Sequence, residues 1–400
     1  MTFTLLLDLD DTLLQNPVDQ FLPAYIRALA GHLAPYIPPD RLVPQLLHAT
    51  DQMIARDDTC KSLKTTFDED FYPQFGLQEE DLADVLLDFY QNKYDSLRSI
   101  TSPVPFSRTL LDFAFKKGWQ VVIATNPLFP RIAVEKRLEW AGIPATDYPF
   151  SLITAYEGMH YAKPNPAYYA EILGQLGWAQ GPVAMVGDSM QDDLLPSSSL
   201  KIPGYYLGVD QAEVGNLAPG SAAGPLEDVI PWLEKISEGR TSSANESIEG
   251  LLAVLKTTPV VVQTLTTHCS RPDWRKRPIE GEWSLLEIMC HLRDLETEVN
   301  LPRFELLGNS VNPFIPGVDS DRWAAERHYN EQDDSTVYSD FCTSRSKLLR
   351  VVSPYTSDDW QMPLRHSFFG PTTRLELAKF IAAHDQDHVQ QIAQTIQALN

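Results

Sequence analysis

Four short apolar segments, each closed by polar residues, constrain this chain more than any other feature: "FTLLLDLD", "WQVVIATN", "PVAMVGDS" and "IPGYYLGV". Each has the length of a buried strand and is bounded by turn residues. Helical patterns such as "RIAVEKRLEWAGI" lie between them. Short apolar strands alternating with helices predict an α/β domain whose parallel sheet is covered on both faces. In such sheets ligands sit outside the carboxyl ends of the strands. The first three segments carry their polar residues at that end: Asp8 and Asp10, Thr125 and Asn126, and Asp188.

Residues from about 16 to 100 interrupt the alternation with amphipathic stretches such as "FLPAYIRALAGHLAPYI", which predicts a small helical cap inserted after the first strand. The stretch "SEGRTSSANES" is small and polar, the composition of a linker, placed at 238–246. Beyond it strand signals thin out. Four long 3.6-period stretches over 247–400, the last "RLELAKFIAAHDQDHVQQIAQTIQAL", predict an all-α four-helix bundle. Two domains, 1–237 and 247–400, agree with a length of 400 residues, more than one core usually serves.

The net charge of −22 is spread over both halves and no basic run interrupts it. That argues against nucleic acid or an anionic membrane as a partner, and makes any anionic substrate small. The four cysteines show no C-x-x-C pairing and read as reduced thiols. The N-terminus has no basic, signal-like region, and no apolar stretch reaches the roughly 18–20 residues of a membrane span. A cytoplasmic protein is expected.

At the end of an extended strand, Asp8 and Asp10 point the same way and Asp11 the other. Adjacent carboxylates repel, so the pair calls for a cation or a proton. Magnesium, which takes oxygen ligands from carboxylates, phosphate and water, suits it. Asp188 ends the third segment, with Asp192 or Asp193 a turn further on. Thr125 and Asn126 offer a hydroxyl and an amide to phosphoryl oxygens. Lys163, held between prolines in "YAKPNPAYY", offers a fixed positive charge. Asp11 reads as a solvated or amide-binding acid.

Taken in order, Asp8-x-Asp10-x-Thr12, Thr125, the Lys-Pro-x-Pro at Lys163 and the Gly187–Asp188 pair resemble the four motifs of the haloacid dehalogenase-like (HAD) hydrolases over residues 1–237. The resemblance implies a Rossmann-like core and a phosphatase. Asp8 would be the nucleophile and Asp10 the general acid–base. Thr125, Asn126 and Lys163 would bind the phosphoryl group. Mg2+ would be held by Asp8, the Asp10 backbone carbonyl and Asp188, with support from Asp192 or, as favoured here, Asp193. Asp10 argues against dehalogenation, because a departing halide needs no acid. The run "LLPSSSLKIPGYYL" departs from the alanine-rich helix of many relatives. Substrate choice falls to the cap, where Lys61, Lys64, Phe67, Phe71 and Tyr72 are candidates.

The second half carries a different constellation. His384 and His388 are four apart on one helical face, and His291 lies amid apolar residues of an earlier helix. Three neutral imidazoles converging in a bundle make a borderline-metal site with an open position. "WSLLEIMCHLRDLE", "SFFGPTTRLELAKFI" and "HDQDHVQQI" together resemble the DinB-like, YfiT-related metal-binding bundles over 247–400. The resemblance implies His291, His384 and His388 as ligands of Zn2+ or Ni2+. Asp294 and Asp387 are candidates for orienting the rings. Cys290 points away from His291 on its helix and reads as core. Some such bundles are thiol-dependent transferases. The alternative reading therefore puts a metal-dependent thiol transferase or detoxifying activity in the bundle, with the first half supporting it.

Overall fold

The computed structural model describes all residues except 1, 58–59, 179–180, 209–212, 240–243, 268, 309–311, 321 and 400. Residues 240–243 of the stretch read as a linker therefore lie outside the described residues. The chain divides into two compact units: Met1–Asp57, Lys61–Tyr169 and Ala179–Ser242 in one, and Asp58–Cys60, Ala170–Trp178 and Ser243–Asn400 in the other.

The strands of the first unit are β1 (Thr4–Leu7), β2 (Leu14–Gln15), β3 (Ser102–Pro103), β4 (Gln120–Ile123), β5 (Leu152–Ile153), β6 (Val183–Gly187), β7 (Gly204–Tyr206) and β8 (Ala222–Ala223). Six of them form one sheet in the order β5-β4-β1-β6-β7-β8. All its pairings are parallel. The four apolar segments supply β1, β4, β6 and β7; the edge strands β5 and β8, two residues each, gave no periodic signal. Central β1 has Leu5, Leu6 and Leu7 fully buried, each worth about 1.5–3 kcal/mol of apolar burial. That burial fixes the register, and the register places Asp8 beside the ends of β4 and β6.

The cap leaves at β2 and returns at β3, which pair antiparallel. Between them run the helices Val18–Leu33, Pro39–Ala55, Leu63–Phe71 and Glu79–Asp88. The first of these helices packs through Phe21 and Tyr25 on Phe89 and Tyr94, which follow the last, with edge-on contacts at 6.1–6.2 Å.

The second unit is the expected bundle. Its helical runs are Ile248–Thr266, Leu285–Leu295 continuing to Leu307, Val337–Val352 and Arg374–Leu399. Ser247 caps the first, and Ser284 with Glu287 forms a capping box on the second. A small sheet joins β9 (Phe314–Ile315), β10 (Pro363–His366) and β11 (Gly370–Thr373) in the order β11-β10-β9. The sequence did not announce it, since its strands have at most four residues. Gly370, at φ +72°, makes the turn from β10 to β11.

One sequence expectation needs correction. The helix Ile248–Thr266 is long and apolar enough to cross a membrane, with mean hydropathy 1.3 over its best window. Lys256 and several threonines interrupt the apolar run but leave its average high. The bundle buries 61% of that window, as expected for a core helix.

Candidate functional site

The first site lies where β1, β4 and β6 end. Lys163 Nζ donates to Asp8 Oδ1 at 2.7 Å and to Asp193 Oδ1 at 2.5 Å. Asp193 Oδ2 accepts the Ser189 backbone N–H at 3.0 Å, so both its oxygens are engaged. A Cβ at position 187 would collide with the Asp193 carboxylate, which is why glycine precedes Asp188. Oxygen atoms of Asp8, Asp188 and Asp193 all lie within 4.8 Å of one another. Of the two acids left open by the sequence, Asp193 is in this cluster; Asp192 instead offers its backbone carbonyl to the Tyr169 hydroxyl at 2.8 Å.

Burial pushes the Asp8 carboxyl well above the usual range, against the pull of Lys163, and Asp193, Asp10 and Asp188 push the same way. Asp188 is pushed up to about 6 by burial, with Asp193 and Asp11 adding to it. Burial opposes the charge on Lys163, yet Asp193 and Asp8 hold its ammonium well above the ordinary value. These directions report one condition, a buried space with more negative than positive charge. Hard carboxylate oxygens in such a space fit Mg2+.

Asp10 stands apart from that cluster. Arg137 donates to its Oδ2 and Asn16 Nδ2 to its Oδ1 at 2.7 Å, which fixes the carboxylate plane. Thr125 Oγ1 lies 3.5 Å from Asp10 Oδ2, and Thr12 Oγ1 lies 3.4 Å from Asp188 Oδ1. The buried Asn126 Oδ1 has no hydrogen-bond partner among the described residues. Asp11 accepts the Asn16 N–H at 2.8 Å, the amide-binding role expected of it.

Sequence reasoning missed Arg137. The signal was present: on the helix Arg131–Trp140 it shares the buried face with Ala133, Val134 and Leu138, a place where an arginine needs a partner. Of the cap candidates, Lys61 is held by Glu69 at 2.6 Å and Lys64 by Asp68 and Glu79 at 2.5 Å. Phe71 and Tyr72 are buried and pack edge to face with each other. Phe67 stacks on Phe71 at 4.9 Å.

The second site is built on two helices of the bundle. His384 Nε2 lies 3.3 Å from His291 Nε2 and 3.1 Å from His388 Nε2. A tetrahedral metal about 2.05 Å from each nitrogen needs nitrogens about 3.3 Å apart; both His384 pairs have that spacing, and nitrogens of all three imidazoles lie within 4.8 Å of one another. Burial keeps all three neutral, pushing His291 down to about 3 and His384 and His388 to about 4. Gln391 Oε1 accepts from His388 Nδ1 at 2.9 Å, and the Trp283 ring lies parallel to His388 at 6.0 Å. His291 Nδ1 is buried with no partner among the described residues.

The acids proposed to orient these rings do other work. Asp294 takes Arg293, Arg327 and Tyr329 at 2.6–2.8 Å, and Asp387 is exposed. Beside the histidines sits a group the sequence reading overlooked. Buried Arg345 donates to Glu296 at 2.7 and 3.0 Å, to Asp385 at 2.6 and 3.2 Å, and to the Leu255 carbonyl at 2.8 Å. It thereby joins all four helical runs. Cys290 is core: its thiol is buried, pushed up to about 11 by burial, and lies 3.7 Å from Gln332 Oε1.

The first unit is thus a hydrolase-type α/β core with its acids at the strand ends, and the second a metal-binding type of helical bundle. The haloacid dehalogenase-like hydrolase family matches residues 4–195, and the DinB superfamily matches residues 255–392. The chain joins a HAD-like hydrolase domain to a DinB-superfamily domain.

No curated protein matches the sequence. Among solved structures, a HAD phosphatase from Thermococcus onnurineus is 17% identical with TM-score 0.38, over 59% of this chain and 100% of that one. The 2-haloacid dehalogenase from Pseudomonas syringae pv. Tomato DC3000 is 17% identical with TM-score 0.40, over 59% and 99%. YfiT from Bacillus subtilis, described as a "probable metal-dependent hydrolase", is 17% identical with TM-score 0.35, over 40% and 91%.

Proposed function

We propose that the first domain is a Mg2+-dependent phosphatase that hydrolyses a small phosphorylated metabolite through an aspartyl-phosphate, in a cytoplasmic setting. The observation that carries this reading is Lys163 set between Asp8 and Asp193, with Asp188 in the same cluster. Bound Mg2+, held by Asp8, Asp188 and the Asp10 carbonyl, would supply charge neutralisation for the phosphoryl oxygens.

Asp8 attacks phosphorus through a carboxylate oxygen, and the bond from phosphorus to the ester oxygen breaks. Asp10, held in plane by Arg137 and Asn16, gives its proton to the departing oxygen. Asp10 then takes a proton from water as that water attacks phosphorus. The acyl phosphate bond breaks, releasing inorganic phosphate and restoring the Asp8 carboxylate. Lys163, Thr125 and Asn126 hold the phosphoryl oxygens throughout. The acidic chain, at −22, keeps polyanions such as nucleic acid and anionic membranes away from this site.

The test is phosphate release from a panel of phosphorylated metabolites with Mg2+, against the same panel in a chelator. Release confined to the Mg2+ arm supports the proposal; release that persists in the chelator sinks the metal's part in it. Arg137→Ala is expected to lower kcat about 10- to 100-fold while the protein stays folded, because a misplaced acid–base costs that much. Arg137→Lys keeps the charge without the planar fork and should recover part of it. An unchanged kcat in Arg137→Ala would show that Asp10 needs no such support.

In the second domain His291, His384 and His388 hold Zn2+ or Ni2+. Replacing all three with alanine should abolish bound metal, measured by elemental analysis after equilibration with either ion. Retained metal would place the site elsewhere.

A further inference from the structure

A cavity of about 390 Å³ opens beside the three histidines, with His384 in its wall. One side of its wall is a run of aromatic rings, faced by Leu295, Val299 and Arg303. His366 stacks on Phe369 at 4.5 Å, Phe369 meets Phe380 at 5.0 Å, and Phe380 meets His384 at 6.4 Å. Phe368, Phe369 and Phe380 remain 46–70% exposed, a group of large apolar faces with nothing over them among the described residues.

The same cavity has polar groups with capacity to spare. Arg303 lines it half-buried, and among the described residues it makes one hydrogen bond, to the Pro316 carbonyl at 2.8 Å. Elsewhere in the bundle Arg277, Arg293, Arg327 and Arg345 each sit on a carboxylate. Arg303 has none within 4 Å among the described residues, and burial alone pulls its guanidinium down. Among the described residues the one acid in the wall is Asp319, which is exposed and lies 3.7 Å from Arg322. His366 accepts the Phe368 N–H at Nδ1 (3.3 Å), so its proton is on Nε2. That Nε2 is buried without a partner among the described residues.

An apolar cavity with a few convergent polar groups is the form of a small-molecule site. An under-used, partly desolvated guanidinium selects a carboxylate through its fork of donors. We propose that this cavity binds a small organic acid with a ring-sized apolar body. The carboxylate lies on Arg303 and the body on Phe369 and Phe380. The far end lies against the histidine-bound metal. The last part rests on the reading of His291, His384 and His388 as a metal site.

The test uses the full-length protein, with and without Co2+ loading. It is titrated with 3-phenylpropanoate and 4-phenylbutanoate and, as a neutral control, 3-phenylpropan-1-ol. Calorimetry reads affinity, and the visible bands of Co2+ read the metal's surroundings. The acids are expected to bind at least about tenfold more tightly than the alcohol, the scale of a charge-assisted hydrogen bond. Arg303→Gln should remove that preference and leave alcohol binding unchanged; Phe380→Ala should weaken acids and alcohol together.

Binding of neither acid, equal binding of acid and alcohol, or an Arg303→Gln variant that keeps the preference would each overturn the proposal. Circular dichroism of both variants separates these results from misfolding, and Arg303→Lys, expected to keep part of the preference, gives a second check. Cobalt bands that stay still while the acids bind through Arg303 would overturn the placement of the far end. If cobalt does not bind, the metal reading fails on its own, and the titration without cobalt still decides the role of Arg303.

Discussion

Asp8→Asn is expected to cut phosphate release to background, a loss of at least about 1,000-fold, with the fold intact. The residue does two things that asparagine cannot. Its carboxylate forms the bond to phosphorus, and its negative charge helps retain the cation. An amide of the same shape should still accept from Lys163, whose Nζ is 2.7 Å away, so packing is preserved while the nucleophile is lost. Acid quenching during turnover adds a direct readout. The native protein should carry a phosphoryl label that hydroxylamine removes, as acyl phosphates require, and Asp8→Asn should carry none. Turnover that survives in the variant would point to another nucleophile, or to direct attack by water.

The second large effect concerns stability. Arg345→Met should destabilise the bundle by about 3–5 kcal/mol, the cost of leaving buried charge uncompensated. Glu296 and Asp385 are fully or almost fully buried, at 0% and 2% exposure, and both are held by the one guanidinium. Without it both carboxylates lose their guanidinium, Glu296 keeping the Asn300 amide at 3.0 Å, and the Leu255 carbonyl loses its donor as well. Urea unfolding of the full chain, followed through the bundle's own transition, gives the number. Combining Arg345→Met with Glu296→Gln and Asp385→Asn should recover most of the loss, because no net charge then remains buried. A single variant that unfolds within about 1 kcal/mol of the native protein would show that water reaches the cluster. Asp385 directly follows His384 in the chain, so the same variant should also loosen the metal site.

How much of this was legible beforehand follows from where each partner lies. A parallel sheet delivers whatever ends its strands to one edge, so Asp8, Asp10, Thr125 and Asp188 group from the sequence alone. Helical periodicity paired His384 with His388 in the same way. The proline-held Lys163 stood out because cations are scarce here, 32 against 54 acids. These readings needed only local geometry and a rule of topology.

Charge pairing needed more. Arg137 meets Asp10 across 127 positions, and Arg345 meets Glu296 across 49. No period or motif links such residues. The sequence marks only that an arginine stands on an apolar face. The same limit explains Asp294 and Asp387, which adjoin the histidines in sequence but turn to other partners or to solvent. It also explains the Arg303 and Phe380 cavity, assembled from a helix, a loop, a hairpin and the last helix. By itself the sequence determined which chemical groups reach the strand ends and the helical face, since backbone periodicity controls direction. Tertiary structure alone decided which charge neutralises which, because a buried ion's partner is set by packing between segments far apart in the chain.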